Sequence, residues 1–72
     1  NPAQDKLQIT YYGNSQASLT IFDHTGQVVY NANLPENTTY SINTEKWNTG
    51  VYFYSLINKG EVSNKGKLLI IK

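Results

Sequence analysis

The sequence predicts an all-β fold, an immunoglobulin-like antiparallel β-sandwich of about seven short strands. Apolar residues recur at every second position along most of the 72 residues, as in strands with one buried face. Short groups of Gly, Asn, Asp and Pro separate these runs at regular intervals, which is typical of a sandwich. The hydrophobic fraction of 39% contains much Ile, Leu, Val and Tyr and no Met, a composition that fits pleated, half-buried surfaces.

The first strands follow from alternation in KLQITY (6–11) and QASLTIFD (16–23). Between the second strand and QVVY (27–30), the segment 23–26 has Asp first and Gly last, as tight turns prefer. These two strands are therefore predicted to form a hairpin. Leu7, Ile9 and Tyr11 share one face of the first strand, and Ala17, Leu19 and Ile21 share one face of the second.

The middle of the chain contains one loop and one tight connection. Pro35 confines 34–37 to a loop or a sheet edge, because proline cannot donate a backbone hydrogen bond. TTYSIN (38–43) resumes the alternation, with Tyr40 and Ile42 inward. TEKWNTG (44–50) is too short for more than one helical turn, so we expect a connection with Trp47 tucked inward.

The last part of the chain holds the strongest strand, VYFYSLIN (51–58), which is apolar on both faces and therefore suits a central position. A second hairpin turn is predicted at 58–61. The count of seven strands includes a short one around Val62, and KLLIIK (67–72) is expected to remain in strand up to Lys72.

Composition excludes several function classes. Without cysteine the chain can form no disulfide, and with a single histidine it lacks the usual ligands of a zinc site. No cofactor is predicted. Its net charge of +1 comes with scattered lysines, so neither nucleic acid nor an anionic membrane is an expected partner. No apolar run reaches the roughly 18–20 residues that cross a bilayer. The start, NPAQDK, lacks signal-peptide character and a methionine, so we expect a single domain, 1–72, excised from a longer protein.

Titratable residues do not form an enzyme-like group in the predicted fold. His24 lies at the tip of a hairpin, where nothing orients it as a general base. The acidic residues fall in separate connections, so a carboxylate pair is not expected. No enzyme activity is predicted from His24 or from the five acidic residues Asp5, Asp23, Glu36, Glu45 and Glu61.

The aromatic residues allow a different hypothesis. Six tyrosines and Trp47 could stack on sugar rings, as in a carbohydrate-binding or adhesive β-sandwich appended to an exported enzyme. Packing in the core margin is the favoured interpretation, because a strand tyrosine buries its ring and keeps its hydroxyl in water. It applies to Tyr11, Tyr30, Tyr40, Tyr52 and Tyr54.

Four motifs in order carry a resemblance to a known family. They are NPAQDKLQI at 1–9, Ile21-x-Asp23-x-x-Gly26, WNTGVYF at 47–53 and KGKLLIIK at 65–72. Together they resemble the type A C-terminal sorting domain of proteins exported by the type IX secretion system of Bacteroidetes. The resemblance covers essentially all 72 residues, with Trp47 where the family usually has Leu.

The resemblance implies a secretion signal without catalytic function. Such a domain is an immunoglobulin-like sandwich at the end of a cargo protein, which it directs from the periplasm across the outer membrane. A surface sortase then normally removes the domain and joins the cargo to lipopolysaccharide. The implied partners are type IX translocon and sortase components and an N-terminal cargo domain in cis, with neither nucleic acid nor direct membrane insertion. The cargo would end at the cell surface or be secreted, after cleavage upstream of Asn1.

The resemblance also implies which residues are recognised. A lysine-flanked apolar terminal strand either completes the sheet or offers an edge for a receptor to pair with. Edge lysines also discourage unwanted pairing, which is the structural explanation for Lys65, Lys67 and Lys72. The predicted translocon or sortase recognition residues are Gly50, Val51, Tyr52, Lys67, Leu68, Leu69, Ile70, Ile71 and Lys72.

Overall fold

The computed structural model describes residues 6–13 and 15–71, which form six β-strands. The first four strands lie on segments in which apolar residues alternate, since alternation lets one face of a strand enter the core. The strands are β1 (Lys6–Tyr11), β2 (Ala17–Phe22), β3 (Val28–Leu34), β4 (Thr38–Asn43), β5 (Gly50–Asn58) and β6 (Glu61–Ile70).

These strands form two antiparallel sheets. The large sheet has the order β3-β2-β5-β6, and the small sheet pairs β1 with β4. VYFYSLIN is central, as predicted, because β5 pairs with β2 on one side and β6 on the other. β6 forms an edge of the large sheet.

The hydrophobic core lies between the two sheets. The small sheet contributes Tyr11 and Ile42, and the other core residues come from the large sheet. Tyr30 of β3 and Tyr40 of β4 meet across the layers, with ring centroids 6.4 Å apart. The predicted β-sandwich is thereby confirmed. Its buried hydrophobic residues are Tyr11, Ala17, Leu19, Ile21, Leu34, Ile42, Tyr52 and Ile70.

The strand count was wrong by one, because Val62 and the terminal run belong to the same strand. β6 begins immediately after the Lys59-Gly60 turn, where both residues have positive φ (53° and 81°), as a type I′ hairpin turn requires. The pairing then shifts by one residue, since Ile57 faces Val62 and Leu56 faces Asn64. Ser63 is the extra residue of this bulge, so the strand continues where the sequence indicated a break.

Two boundaries also differ from the expectation. β3 extends beyond QVVY to Leu34, the first residue of the segment predicted to be a loop or a sheet edge, and β3 is an edge strand of the large sheet. Leu34 is fully buried, because its register partner Ala17 faces the core. At the other end β6 stops at Ile70 and Ile71 lies outside the strand. Lys72 lies outside the described residues.

The connection 44–49 brings the start of β1 and the end of β6 to the same end of the molecule. Lys6 pairs with Asn43 at the end of β4, and Gly50 at the start of β5 pairs with Ile70. Trp47 in this connection packs half-buried against the core, as expected. No helix within 6–13 and 15–71 has the length and apolar character needed to cross a membrane.

Candidate recognition surface

The two segments predicted to carry recognition lie side by side on β5 and β6. Gly50 pairs with Ile70, Val51 with Leu69 and Tyr52 with Leu68. Cross-strand partners point to the same face of a sheet. The two segments, distant in sequence, therefore form one surface that faces the core and one that faces outward.

The inward surface belongs to the core. Tyr52 and Ile70 are buried at 7% and 0% exposure, and Leu68 is half-buried against the same cluster. A partner protein could reach Tyr52 and Ile70 only by opening the sandwich. Three of the nine predicted recognition residues therefore face the interior.

The outward surface contains the predicted recognition residues that are exposed to solvent. Val51 is 37% exposed, Leu69 is 56% exposed, and Lys67 is exposed beside them. Ile71, just beyond the strand, is 42% exposed. Gly50 is half-buried and contributes backbone pairing to Ile70.

Tyr52 holds the connection 44–49 in place. Its hydroxyl donates a 2.7 Å hydrogen bond to the carbonyl oxygen of Asn48. Its ring lies against the indole of Trp47, with centroids 5.0 Å apart and planes inclined by 31°. The WNTGVY motif is thus a packed turn in which the Trp47–Tyr52 pair and the Tyr52–Asn48 hydrogen bond help to fix the start of β5.

Three further apolar residues extend the outward surface and were missed by sequence reasoning. Phe53 is 43% exposed and pairs with Lys67 on β6 and with Phe22 on β2. Phe22 in turn faces Val28 of β3, which is 52% exposed. The sequence feature that could have revealed Phe53 was the second apolar face of VYFYSLIN. That face was explained by a central position of the strand, but no described residue covers it.

The charge of this surface is positive. Lys65 and Lys67 point outward, since their partners Ser55 and Phe53 lie on the outward face of β5. Glu61 is the acidic residue in the strands of the large sheet, and it pairs with Asn58, whose side chain lies on the inward face. The outward face of these strands therefore combines apolar side chains with lysines and has no carboxylate.

The I-x-D-x-x-G motif forms the turn between β2 and β3. One carboxylate oxygen of Asp23, Oδ1, accepts hydrogen bonds from Thr25 Oγ1 (2.5 Å), Thr25 N (2.9 Å) and Gln27 N (3.0 Å). The Thr25 hydroxyl in particular lowers the pKa of Asp23, and the two backbone amides act in the same direction. Gly26 has φ of 89°, a conformation that suits glycine, and Ile21 is fully buried. Each motif residue thus has a role in the fold.

Titratable residues near this turn do not converge on a reactive group. A hollow of about 210 Å³ is lined by Asp23, His24 and Lys46 together with Trp47 and its neighbours. His24 is exposed, as predicted for a hairpin tip, and the Asp23 carboxylate is engaged by its own turn. Within the described residues no group of His, Asp and Glu could hold a metal ion. Asp5 lies outside the described residues.

The strand tyrosines pack as predicted. Tyr11 and Tyr52 are buried, and Tyr30, Tyr40 and Tyr54 pack against the core. The ring of Tyr54 covers Gly66 on the neighbouring strand, where a Cβ atom would lie 2.7 Å from the tyrosine oxygen. Tyr12, in contrast, is 85% exposed. These five strand rings therefore serve packing and do not form an open platform for sugars.

An open groove of about 650 Å³ lies between β1 and the inward face of β5 and β6. It exists because the small sheet has two strands and covers only part of the large sheet. Leu19, Leu34, Tyr54, Leu56 and Leu68 line its apolar side. Leu68 consequently stays half-buried although it faces the interior.

Comparison with known proteins identifies the family. Residues 1–72 match the family described as secretion system C-terminal sorting domain. The chain belongs to this family. No curated protein and no solved structure matches the chain.

Family membership confirms the resemblance drawn from the motifs. The chain is a type IX secretion C-terminal sorting domain, a class that is in general non-catalytic. It implies an exported protein that passes the outer membrane, a cargo in cis and interaction with the secretion machinery.

Proposed function

We propose that residues 1–72 form one sorting domain at the end of an exported cargo, which it carries from the periplasm to the cell surface through the type IX translocon. The observation that carries this proposal is the family match over the whole chain. A surface sortase then removes the domain upstream of Asn1 and attaches the cargo to lipopolysaccharide. The chain itself contributes recognition and no chemistry.

Recognition rests on the outward residues of β5 and β6 and on the terminus. Val51, Lys67, Leu69 and Ile71 are exposed and can contact a receptor while the sandwich stays folded. Gly50, Tyr52, Leu68 and Ile70 act indirectly, since they hold these residues in register. Lys72 completes the proposed terminal signal.

The decisive experiment joins this domain to a periplasmic reporter and follows the reporter in a bacterium with a type IX system. We expect surface delivery with the domain, periplasmic retention without it, and retention in a strain that lacks the translocon. Sortase processing should separate the domain from the reporter and shift the reporter to a larger, lipopolysaccharide-bound form. Surface delivery independent of the domain would contradict the proposal.

Deleting the terminal residues is a poor test of the signal. Removal of 68–72 also removes Ile70, which is fully buried, and half-buried Leu68. Loss of export would then report unfolding as readily as loss of recognition. Substitutions at outward positions are required instead.

A further inference from the structure

The large sheet exposes a continuous apolar area on its outward face, at the end where β5 begins. Phe53 lies at its centre, because it pairs with Phe22 on one side and Lys67 on the other, while Leu69 and Val51 form the next row. Exposed apolar patches of this kind mark interaction sites on soluble proteins. The docking face, as we call it here, consists of Phe22, Val28, Val51, Phe53 and Leu69 with Lys65 and Lys67.

From this geometry we infer that the docking face binds an acidic protein surface of the secretion machinery, apolar at its centre and with carboxylates on the β6 side. This inference rests on the proposed function. It adds residues of β2 and β3 to the site and assigns the chemistry of the partner.

Charge complementarity specifies the partner. Lys65 and Lys67 stand in one row along β6, and the strands of the large sheet place no carboxylate beside them on this face. A partner that buried Phe53 and Leu69 would bring its own groups against both lysines. Carboxylates there gain charge-assisted contacts, and cations are repelled, so the lysines select between partners.

The same observations disfavour a lipid surface. The docking face is the flat side of a sheet whose backbone is paired, so its side chains cannot penetrate a membrane as a protruding loop can. Two lysines give only weak attraction to anionic headgroups, and stable membrane binding requires more. A protein surface, by contrast, can enclose Phe53 as a central aromatic anchor, the kind of residue that carries binding energy in interfaces.

A second copy of this chain is also a poor occupant. Face-to-face pairing would bring Lys65 and Lys67 of each copy into one interface without carboxylates from these strands. Like charges in a desolvated contact are costly. The partner is therefore a different protein.

Matched substitutions on β6 test the inference with the domain fused to the reporter. Leu69 and Val62 are 56% and 58% exposed on the same outward face, but Val62 lies at the opposite end of β6, outside the docking face. We expect Leu69→Ser to reduce surface delivery by about tenfold and Val62→Ser to leave it unchanged. Circular dichroism and thermal unfolding of each variant verify that the sandwich remains folded.

The charge requirement has its own matched pair. The double substitution Lys65→Glu with Lys67→Glu should reduce delivery by about tenfold or more. Lys59→Glu, at the exposed β5–β6 turn, changes charge outside the docking face and should have no effect. Export of the unaltered fusion verifies the sorting role of the domain. Equal delivery of unaltered and docking-face variants would therefore overturn the docking face, together with the recognition roles proposed for Leu69 and Lys67, and leave the sorting role in place. Failure of the unaltered fusion would overturn the proposed function itself.

The identity of the partner is tested by photo-crosslinking from position 55, beside Lys65, with position 41 of β4 as control. The inference requires a crosslink to a protein surface rich in Asp and Glu, and lysine substitutions on that surface must restore export of the Lys65→Glu, Lys67→Glu variant. Binding of the domain to phosphatidylglycerol-containing vesicles or lipopolysaccharide micelles, abolished by the same variant, would overturn it in favour of a lipid surface. A dimer in analytical ultracentrifugation that Leu69→Ser dissociates would overturn it in favour of self-association.

Discussion

At the level of single residues, the carboxylate of Asp23 shows why the turn between β2 and β3 requires aspartate at this position of the motif. Oδ1 receives the Thr25 hydroxyl and two backbone N–H groups, all of which favour the ionised form. The folded-state pKa of Asp23 therefore lies below its ordinary value. The stabilisation it provides is present above the unfolded-state pKa and is lost as the pH falls through the folded-state pKa.

Thr25→Val tests this arrangement. We expect the substitution to raise the pKa of Asp23 towards its ordinary value, because the side-chain hydrogen bond is the largest cause of the shift. Titration of the carboxyl resonance by NMR measures the change. Thr39→Val is the control, since Thr39 bonds Thr10 and lies in the small sheet. An unchanged pKa in Thr25→Val would contradict the assigned role.

Tyr30 and Tyr40 form a second titratable contact, which joins β3 to β4. The Tyr30 hydroxyl donates to Tyr40 at 3.0 Å, and burial together with this bond raises the pKa of Tyr30 to about 12. A raised pKa means that the fold favours the neutral phenol. Its stabilisation is complete below the unfolded-state pKa of about 10 and is lost as the pH rises towards the folded-state value.

Tyr40→Phe should lower the pKa of Tyr30, though not to its ordinary value, because burial remains the larger cause. Ultraviolet titration of tyrosinate above neutral pH detects the shift. Tyr12→Phe removes an exposed hydroxyl and serves as the control, with no expected effect on Tyr30. If both variants titrate alike, the hydrogen bond does not influence Tyr30.

At the level of elements, Asn58 joins the end of β5 to the loop between β1 and β2. Its amide nitrogen donates to Tyr11 Oη and Ser15 Oγ, each at 2.9 Å. Tyr11 in turn donates to the Ser15 carbonyl oxygen at 2.7 Å. The two sheets are therefore connected by a polar cluster as well as by the core.

Asn58→Ala should lower the free energy of unfolding by about 1–3 kcal/mol, because partly buried polar atoms of Tyr11 and Ser15 lose a partner. Urea unfolding measures the loss. Asn33→Ala, exposed on edge strand β3, should change stability by less than about 0.5 kcal/mol. Equal effects of the two substitutions would show that the cluster does not stabilise the contact between the sheets.

Element positions were largely predictable from the sequence, and the reason is local. Alternation places Leu19 and Ile21 in the core whatever the topology, and Asp23 and Gly26 specify a turn by their own chemistry. The bulge at Ser63 was not predicted, because a polar residue within a hydrophobic pattern is as compatible with the end of a strand as with a bulge. Pro35 indicated a loop or a sheet edge for 34–37, and only the register with Ala17 shows that Leu34 belongs to edge strand β3.

The candidate site was predictable as a pair of segments but not as a surface. KLLIIK is apolar at four consecutive positions, so alternation alone does not tell which residues face the core. Register with β5 decides it: Leu69 opposes exposed Val51, and Ile70 opposes Gly50 at the core edge. Phe22 and Val28 join the site only because β2 pairs with β5. The sequence predicted the β2–β3 hairpin but does not specify this pairing.

At the level of the whole molecule, the terminal strand stabilises the fold and also carries the proposed signal. A domain of this size has a thin core, and its net stability is of the order of 3–5 kcal/mol. Ile70 is fully buried, and Ile→Ala in a core costs about 2–5 kcal/mol. The terminus therefore cannot be shortened without risk to the whole sandwich.

Ile70→Ala and Leu69→Ala separate the two roles in adjacent residues. We expect Ile70→Ala to remove about half or more of the stability, and Leu69→Ala to change it by less than about 1 kcal/mol, because Leu69 is 56% exposed. Trp47 is the single tryptophan and packs against Tyr52 beside this strand, so its fluorescence can follow urea unfolding. Equal losses of unfolding free energy in the two variants would mean that the inward and outward residues of β6 do not have separate roles.

Export of the same variants completes the argument. Ile70→Val removes one methylene group, costs about 0.5–1.5 kcal/mol and leaves the outward face unchanged, so its fusion should still reach the surface. Leu69→Ala should remain folded and lose delivery. If delivery instead followed stability across all three variants, the machinery would sense the folded state of the domain, and the outward residues of β6 would have no separate role in recognition.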